Sequence, residues 1–350
     1  MKLPPDIEEL ERARALAAAD ACVSREPVTI TAFPAPRSAG GLHDFFSEGD
    51  YWWPNPDDPD GPYIQRDGET NPDNFIAHRQ AMIGMSMQVT ALAAACKISG
   101  DARYARQAIR HLRAWFVDAP TRMNPHLACA QAIHGITTGR GIGIIDTIHL
   151  VEAARAVSVL EEASDALALV KDWFAEYLRW MSTSENGKQE RDAANNHGTC
   201  WVMQAAAFAA LLGDAAMLAY CRARFKNVLL PGQMAPDGSF PREIKRTKPY
   251  GYSLFNLDAM ATICQILDED LWSYATPDGR GLRRGVAFLY PYIQDKSRWP
   301  YGADVMFFEH PAAKAIKISI PRPTVQCDLD DGDAYGGQQH GPLVEIEVPD

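Results

Sequence analysis

Two short stretches constrain this chain more than anything else in it. Ile98-Ser99-Gly100-Asp101-Ala102 and Leu211-Leu212-Gly213-Asp214-Ala215 repeat one punctuation between long Ala- and Leu-rich runs. A glycine after a helix supplies the left-handed residue that ends it, and an aspartate one position later caps the next N-terminus. Each stretch therefore predicts the tight corner of an antiparallel helical hairpin. Apolar spacing predicts helices over 7–24, 74–99, 102–117, 143–160, 163–181, 197–212, 215–229, 253–267 and 282–293. Serial hairpins with small alanine faces predict an all-α fold, an (α/α) toroid or barrel of about six to seven hairpins, although a solenoid carries similar local signals. The chain, 1–350, reads as one domain rather than two.

Two stretches break the helical rhythm. Residues 34–72 hold seven prolines together with Tyr51, Trp52, Trp53 and Tyr63. Disordered linkers are poor in aromatics, so this segment reads as a folded wall of a site. Residues 315–320 alternate like a short strand, which predicts an irregular or β-like C-terminal tail. The following Asp328-Leu329-Asp330-Asp331-Gly332-Asp333 resembles a calcium loop only loosely, because the twelfth-position Glu is missing.

Composition removes several function classes. The formal net charge is −11 and no basic arm is present, so nucleic acid is not an expected partner. No uninterrupted run of 18 apolar residues occurs, so no membrane partner is expected either. The seven cysteines are scattered without a CxxC and read as buried thiols. The acidic, prolyl start MKLPPDIEEL does not read as a signal peptide, which predicts a cytoplasmic chain as written, or a periplasmic or secreted one if a leader has been removed. HExxH, a closely spaced His pair, GxSxG and the phosphate-loop lysine motif are all missing, so neither a metal nor a cofactor is expected. Sequence carries no signature of oligomeric state.

Four constellations could carry chemistry. Asn195-Asn196-His197-Gly198-Thr199 opens an apolar helix. It is either an ordinary asparagine cap with a packed histidine, or a set of donors at a helix N-terminus that binds an anion. Arg242-Glu243-Ile244-Lys245-Arg246-Thr247-Lys248-Pro249-Tyr250-Gly251-Tyr252 packs four basic residues into seven positions ahead of two tyrosines. It is either solvated surface or a carboxylate site whose cations lower a tyrosine's pKa toward the range of a usable base. Tyr51-Trp52-Trp53-Pro54-Asn55-Pro56 offers either a plug over the core or planes on which sugar rings stack. The stretch from Asn124 through Gln131, His134 and Arg140 to Asp146 is polar without a nucleotide motif.

Taken together these residues resemble a known family. Gly49-Asp50-Tyr51-Trp52-Trp53-Pro54-Asn55-Pro56, Asp67-Gly68 with Asn71-Pro72, Asn196-His197, and Arg246 followed six residues on by Tyr252 are similar to the alginate-lyase superfamily, over about residues 42–310. More narrowly they resemble the glucuronan lyases of polysaccharide lyase family thirty-eight. The resemblance implies an (α/α) barrel that cleaves anionic uronate polymers by β-elimination without a metal. It implies Tyr252 as the catalytic tyrosine, Arg246 as its neighbour, and Asn196 and His197 as the pair that meets the substrate carboxylate. Either Tyr252 or His197 could be the base. The Arg-to-Tyr spacing is one residue shorter than in true alginate lyases, which favours the glucuronan branch. The expected substrate-binding set is Tyr51, Trp52, Trp53, Asn55, Arg66, Arg79, Gln131, Arg140, Arg242, Lys248 and Tyr250. Competing expectations are a mannuronate-preferring alginate lyase, an inverting glycoside hydrolase using two of Asp44, Asp50 and Asp67, and a non-catalytic carbohydrate-binding scaffold.

Overall fold

The computed structural model describes residues 5–160, 165–267 and 270–306. The expected strand at 315–320 and the acidic run at 328–333 lie outside the described residues. The chain forms two compact units.

Unit 1 comprises Met1–Arg66, Thr70–Asp192 and Met203–Ala219. Its helices are α1 (Pro5–Asp20), α2 (Ala77–Ser99), α3 (Ala102–Phe116), α4 (Leu150–Leu160), α5 (Ala166–Thr183) and α6 (Glu185–Arg191). Helix α7 (Asn196–Leu212) ends in this unit and α8 (Ala215–Arg224) begins in it. Both predicted corners form. Gly100 takes φ 73° and Asp101 accepts from the Arg103 amide. Gly213 takes φ 68°, and the Asp214 carboxylate accepts from the Met217 amide at 2.9 Å.

Helix α3 shows how sequence spacing becomes packing. Tyr104, Ala105, Ala108, Leu112 and Trp115 fall on one face and are buried, while Arg103, Arg106, Arg110 and Arg113 face solvent. Helix α2 is long and apolar enough, by composition, to cross a bilayer. Its Met82, Met85, Val89, Leu92 and Ala95 are instead buried, and it packs against α1, α3 and α4. The described cysteines form no disulfide.

Three features depart from the expected helices. Residues 141–147 form a 3₁₀ helix, and α4 starts only at Leu150. A Cβ on Gly143 would lie 3.0 Å from the Ala130 carbonyl, so this close approach depends on glycine. Helix α6 was not expected from apolar spacing, because it is polar and held by a Ser184 cap on the Gly187 amide. The 34–72 segment contains three strands, β1 (Phe46–Glu48), β2 (Trp52–Trp53) and β3 (Ile64–Gln65). Strand β1 pairs in parallel with β4 (Cys129–Ala132), and β2 pairs antiparallel with β3, Trp52 opposite Gln65.

Unit 2 comprises Asp67–Glu69, Ala193–Val202 and Tyr220–Asp350. Helix α8 continues through a π-helical turn, Phe225–Leu229, into α9 (Leu230–Gln233). Then come α10 (Pro241–Ile244), α11 (Pro249–Leu267), α12 (Asp270–Ser273) and α13 (Leu282–Gln294). Phe225, Phe240, Leu254, Met260, Ile263, Leu282 and Leu289 are buried and supply the core. Helix α11 begins four residues before its expected start, because Pro249 suits a first turn that needs no donor. The Asp304 carboxylate accepts from the Tyr250 and Gly251 amides at 2.9 and 3.0 Å, replacing the missing cap.

Candidate functional site

Unit 2 gathers the four residues expected to be catalytic on α7, the turn after α10, and α11. Asn196 opens α7 and is buried. Its backbone N–H donates to one oxygen of Glu243 at 2.7 Å, and its Nδ2 donates to the other at 2.8 Å. The helix N-terminus was expected to receive a substrate carboxylate. In the structure the anion seated on these two Asn196 donors is the chain's own Glu243. Burial raises the Glu243 pKa, an effect partly offset by the Asn196 hydrogen bonds and by the charges of Arg246 and His197. His197 is half-buried one residue along α7. The Asn196 Oδ1 atom is buried with no hydrogen-bond partner.

Arg246 is held between a carboxylate and a tyrosine. Its Nη2 donates to Asp67 Oδ1 at 2.8 Å and to the Tyr252 hydroxyl at 3.3 Å, while Nε reaches Asp67 Oδ2 at 3.3 Å. The guanidinium carbon lies 4.5 Å from the centre of the Tyr252 ring. Burial works against the Arg246 charge, but Asp67, Tyr252 and Glu243 outweigh it and raise the pKa. Asp67 shows the reverse: burial would raise its pKa, but the Arg246 and Thr247 bonds outweigh burial and lower it. Thr247 Oγ1 donates to Asp67 at 3.0 Å, completing the seat.

The rest of the cationic run divides by exposure. Arg242 and Lys245 are exposed, whereas Lys248 is buried. Tyr250, expected on the substrate surface, is also buried. Its ring meets Trp299 edge-on at 5.3 Å, and its hydroxyl donates to the Tyr292 carbonyl at 3.3 Å. Two residues separate Tyr250 from Tyr252 on a helix, which turns them to different faces.

The remaining expected binding residues lie in unit 1. Trp52 and Trp53 are half-buried neighbours on one strand, so their rings point to opposite faces rather than forming one platform. Each has its own cation: Arg140 lies 5.8 Å from the Trp52 ring centre and Arg66 lies 4.9 Å from that of Trp53. The Tyr51 carbonyl accepts from the Arg66 amide at 2.8 Å. Asn55 is spent on its own turn, its Oδ1 accepting from the Asp57 amide at 3.1 Å.

Arg79 is occupied within the protein, pairing with Asp50 at 2.8 Å and with Asp146 at 3.2 Å. Buried Asp146 also accepts from Ser47 Oγ and from Gln131 Nε2. Burial raises the Asp146 pKa despite the Arg79 charge. Gln131 is buried at a left-handed φ of 53°, where it accepts from Arg140 through both its carbonyl and its side chain. Burial lowers the Arg140 pKa, an effect the charges of Asp146, Asp50 and Glu190 oppose. Among the described residues, no group of three or more His, Cys, Asp or Glu side chains is arranged to hold a metal ion.

Sequence reasoning missed Glu243 as a partner of Asn196 and Asp304 as the cap of α11. Glu243 lay inside a run read for its positive charge. Its proximity to Asn196, 47 residues away, has no local sequence signal.

Comparison with known proteins decides the family. The family described as Alginate lyase matches residues 29–299. The chain belongs to the alginate lyase family. An alginate lyase from Bacteroides ovatus is 36% identical, covers 83% of this chain and 79% of its own, and superposes with a TM-score of 0.76. Alginate lyase A1-III from Sphingomonas species A1 is 15% identical, covers 83% of this chain and 77% of its own, and gives a TM-score of 0.52, a likeness of fold. A histidine-to-alanine variant of alginate lyase A1-III, complexed with a tetrasaccharide, gives 14% identity, 81% and 75% coverage and a TM-score of 0.53. The alginate lyase fold class, the all-α helical toroid, is therefore that of this chain. A second family, described as a domain of unknown function (DUF4387), matches residues 292–347, most of them outside the described residues. None of the curated proteins is a significant match in sequence. As a member of this family the chain is a polysaccharide lyase.

Proposed function

We propose that this lyase cleaves a uronate polymer by metal-free β-elimination, with glucuronan as first substrate and Tyr252 as the group that moves the proton. One observation carries the reading. The Arg246 guanidinium sits 3.3 Å from the Tyr252 hydroxyl and is itself fixed by Asp67. A cation in that place stabilises the phenolate form of Tyr252. As phenolate, Tyr252 takes the C5 proton and becomes neutral, the C5 electron pair forms the C4–C5 double bond, and the C4–O bond breaks. In D-glucuronate and D-mannuronate the C5 hydrogen and the C4 oxygen share one face of the ring. The same hydroxyl can therefore return its proton to the leaving oxygen. The Nη1 atom of Arg246 makes no hydrogen bond among the described residues, and it is the donor we assign to a substrate carboxylate, with His197 beside it in the role the family resemblance implies. Asn196 acts mainly by placing His197, since Glu243 holds its amide.

Mannuronate-rich alginate is a second reading, favoured by the 36%-identical alginate lyase. Of the carboxylates expected for an inverting hydrolase, Asp44 and Asp67 both have lowered pKa values, which suits neither to the role of acid. We further propose that the polymer binds at one of the two half-buried pairs, Trp52 with Arg140 or Trp53 with Arg66 on the opposite face, and that 1–350 acts as a single catalytic domain. The test is ultraviolet absorbance of unsaturated ends on glucuronan and on alginate. Growth of absorbance on glucuronan supports the reading, growth on alginate alone moves the substrate to mannuronate, and chain cleavage without absorbance overturns the lyase chemistry.

A further inference from the structure

Gln233 ends α9 and is buried, and its side-chain bonds go to α7, to the residue just before it, and to α11, the helices that carry His197 and Tyr252. Its Oε1 accepts from Thr199 Oγ1 and from Asn256 Nδ2, each at 2.9 Å. Its Nε2 donates to the Asn195 carbonyl, also at 2.9 Å. Asn195 and Thr199 bracket Asn196 and His197, while Asn256 lies one helical turn after Tyr252 on the same face of α11. One amide thus ties the turn bearing His197 to the helix bearing Tyr252, without itself belonging to the proposed proton-transfer set.

The backbone before Gln233 is shaped for this position. Cys221, Phe225, Leu229 and Gln233 recur every four residues and are all buried. A four-residue repeat drifts around a regular α-helix, whose turn takes 3.6 residues. The wider π turn at Phe225–Leu229 rotates the chain the other way and returns Gln233 to the buried face.

Stability alone does not account for the Asn256 amide. Asn256 is fully buried, its Nδ2 is used on Gln233, and its Oδ1 has no hydrogen-bond partner. A buried acceptor left unmatched destabilises, and an apolar side chain of similar shape would avoid that penalty. The amide at 256 is therefore explained by orientation rather than by packing.

We propose that Gln233 is a positioning residue that sets the register between the Asn195–His197 turn and the Tyr252 helix through Asn256. The proposal rests on the lyase reading for its effect on turnover, but not for its effect on local order. Two measurements on the full chain test it together: amide hydrogen exchange, and kcat and KM on glucuronan and alginate well below the melting temperature. Gln233→Met and Asn256→Leu should both speed exchange around residues 195–200 and 250–256, and leave α2 and α3 unchanged. Turnover of the folded enzyme should fall by up to roughly 10²-fold, the scale of a small misplacement of reacting groups, with KM near wild type. Asn256→Leu should do this without lowering the melting temperature, a combination that a merely structural role would not produce. Thr199→Val removes one of the three bonds but keeps those to Asn195 and Asn256, so its effect on exchange and turnover should be the smallest of the three variants. Unchanged exchange in both variants overturns the tie whatever the activity, as does wild-type kcat in folded Asn256→Leu from an active parent. A wild type inactive on every uronate polymer would instead overturn the lyase reading, while the exchange data still judge the tie. If Gln233→Met does not fold, Asn256→Leu decides alone.

Discussion

Two arginines of this chain are bound to aspartates in opposite ways. Arg79, in unit 1, is mostly buried between Asp50 and Asp146, so two negative charges meet one positive charge. Arg246, in unit 2, meets one aspartate and one tyrosine hydroxyl. The first arrangement leaves no positive charge to offer a polyanion, and its role is to keep buried Asp146 in place. The second sets the guanidinium against a hydroxyl, whose ionised form it stabilises. Sequence places Arg79 among the expected substrate ligands and Arg246 in the expected catalytic set; the number of carboxylates in direct contact with each tells them apart.

The largest effect should come from Tyr252→Phe. The variant keeps the ring over which Arg246 lies and removes only the oxygen. Turnover should fall by at least the roughly 10²–10⁴-fold typical of an acid–base group, with substrate binding retained. Substantial residual production of unsaturated ends would move the base to His197. His197→Ala should cost on the order of 10²–10³-fold, the scale of one lost donor to developing charge. Binding measured separately, by quenching of tryptophan fluorescence, distinguishes that loss from weaker substrate capture.

The comparison itself breaks or holds on two alanine variants. Arg246→Ala should lower turnover by roughly 10²-fold or more, as for one lost charge-stabilising donor, and change the melting temperature little. Arg79→Ala should do the reverse at neutral pH. It leaves Asp146 buried without its cation, a defect that costs about 3–5 kcal/mol. Asp146 already has a raised pKa through burial. A raised carboxyl contributes stability below its unfolded pKa and loses that contribution as pH rises through its folded pKa. Arg79→Ala should therefore be closest to wild type in acid and fall behind as pH increases, measured by melting temperature across a pH series. If Arg79→Ala is stable at neutral pH but inactive, Arg79 is a substrate ligand and the contrast between the two arginines fails.

What sequence could reveal followed the range of the interaction. The corners at Gly100-Asp101 and Gly213-Asp214 were legible because cap and helix are adjacent in the chain. Arg246 and Tyr252 were legible as a pair because six residues separate them. The sorting of the cationic run into exposed Arg242, half-buried Arg246 and buried Lys248 was not, since charge spacing says nothing about which side meets the core. Glu243 on Asn196, Asp304 on α11, and Gln233 between α7 and α11 were equally hidden, each being a contact across 23 to 54 residues. The start of α7 looks like a free anion site in sequence, yet a carboxylate of this chain meets it, as another meets the start of α11.

The smallest effect tests the seat of Arg246 rather than its charge. Asp67→Asn keeps the side-chain shape and weakens the ion pair, whose partners are each a little under one-third exposed. A pair so placed contributes about 1 kcal/mol at most. The sign with pH follows from the lowered pKa of Asp67, where the Arg246 and Thr247 bonds outweigh burial. A lowered carboxyl contributes stability above its unfolded pKa, near 3.9, and loses it as pH falls through the folded pKa below that. The difference in unfolding free energy between wild type and Asp67→Asn should thus be constant from neutral pH down to about 4 and vanish beneath it. Denaturant melts at several pH values measure that difference directly. Activity sharpens the result, because a guanidinium no longer gripped by Asp67 is less well placed beside the Tyr252 hydroxyl. Turnover should fall by a smaller factor than in Arg246→Ala, with the stability difference following the stated pH course. A stability difference that grows in acid would mean that Asp67 is not the ionised partner of Arg246, and the account of this seat would have to be rebuilt around Glu243.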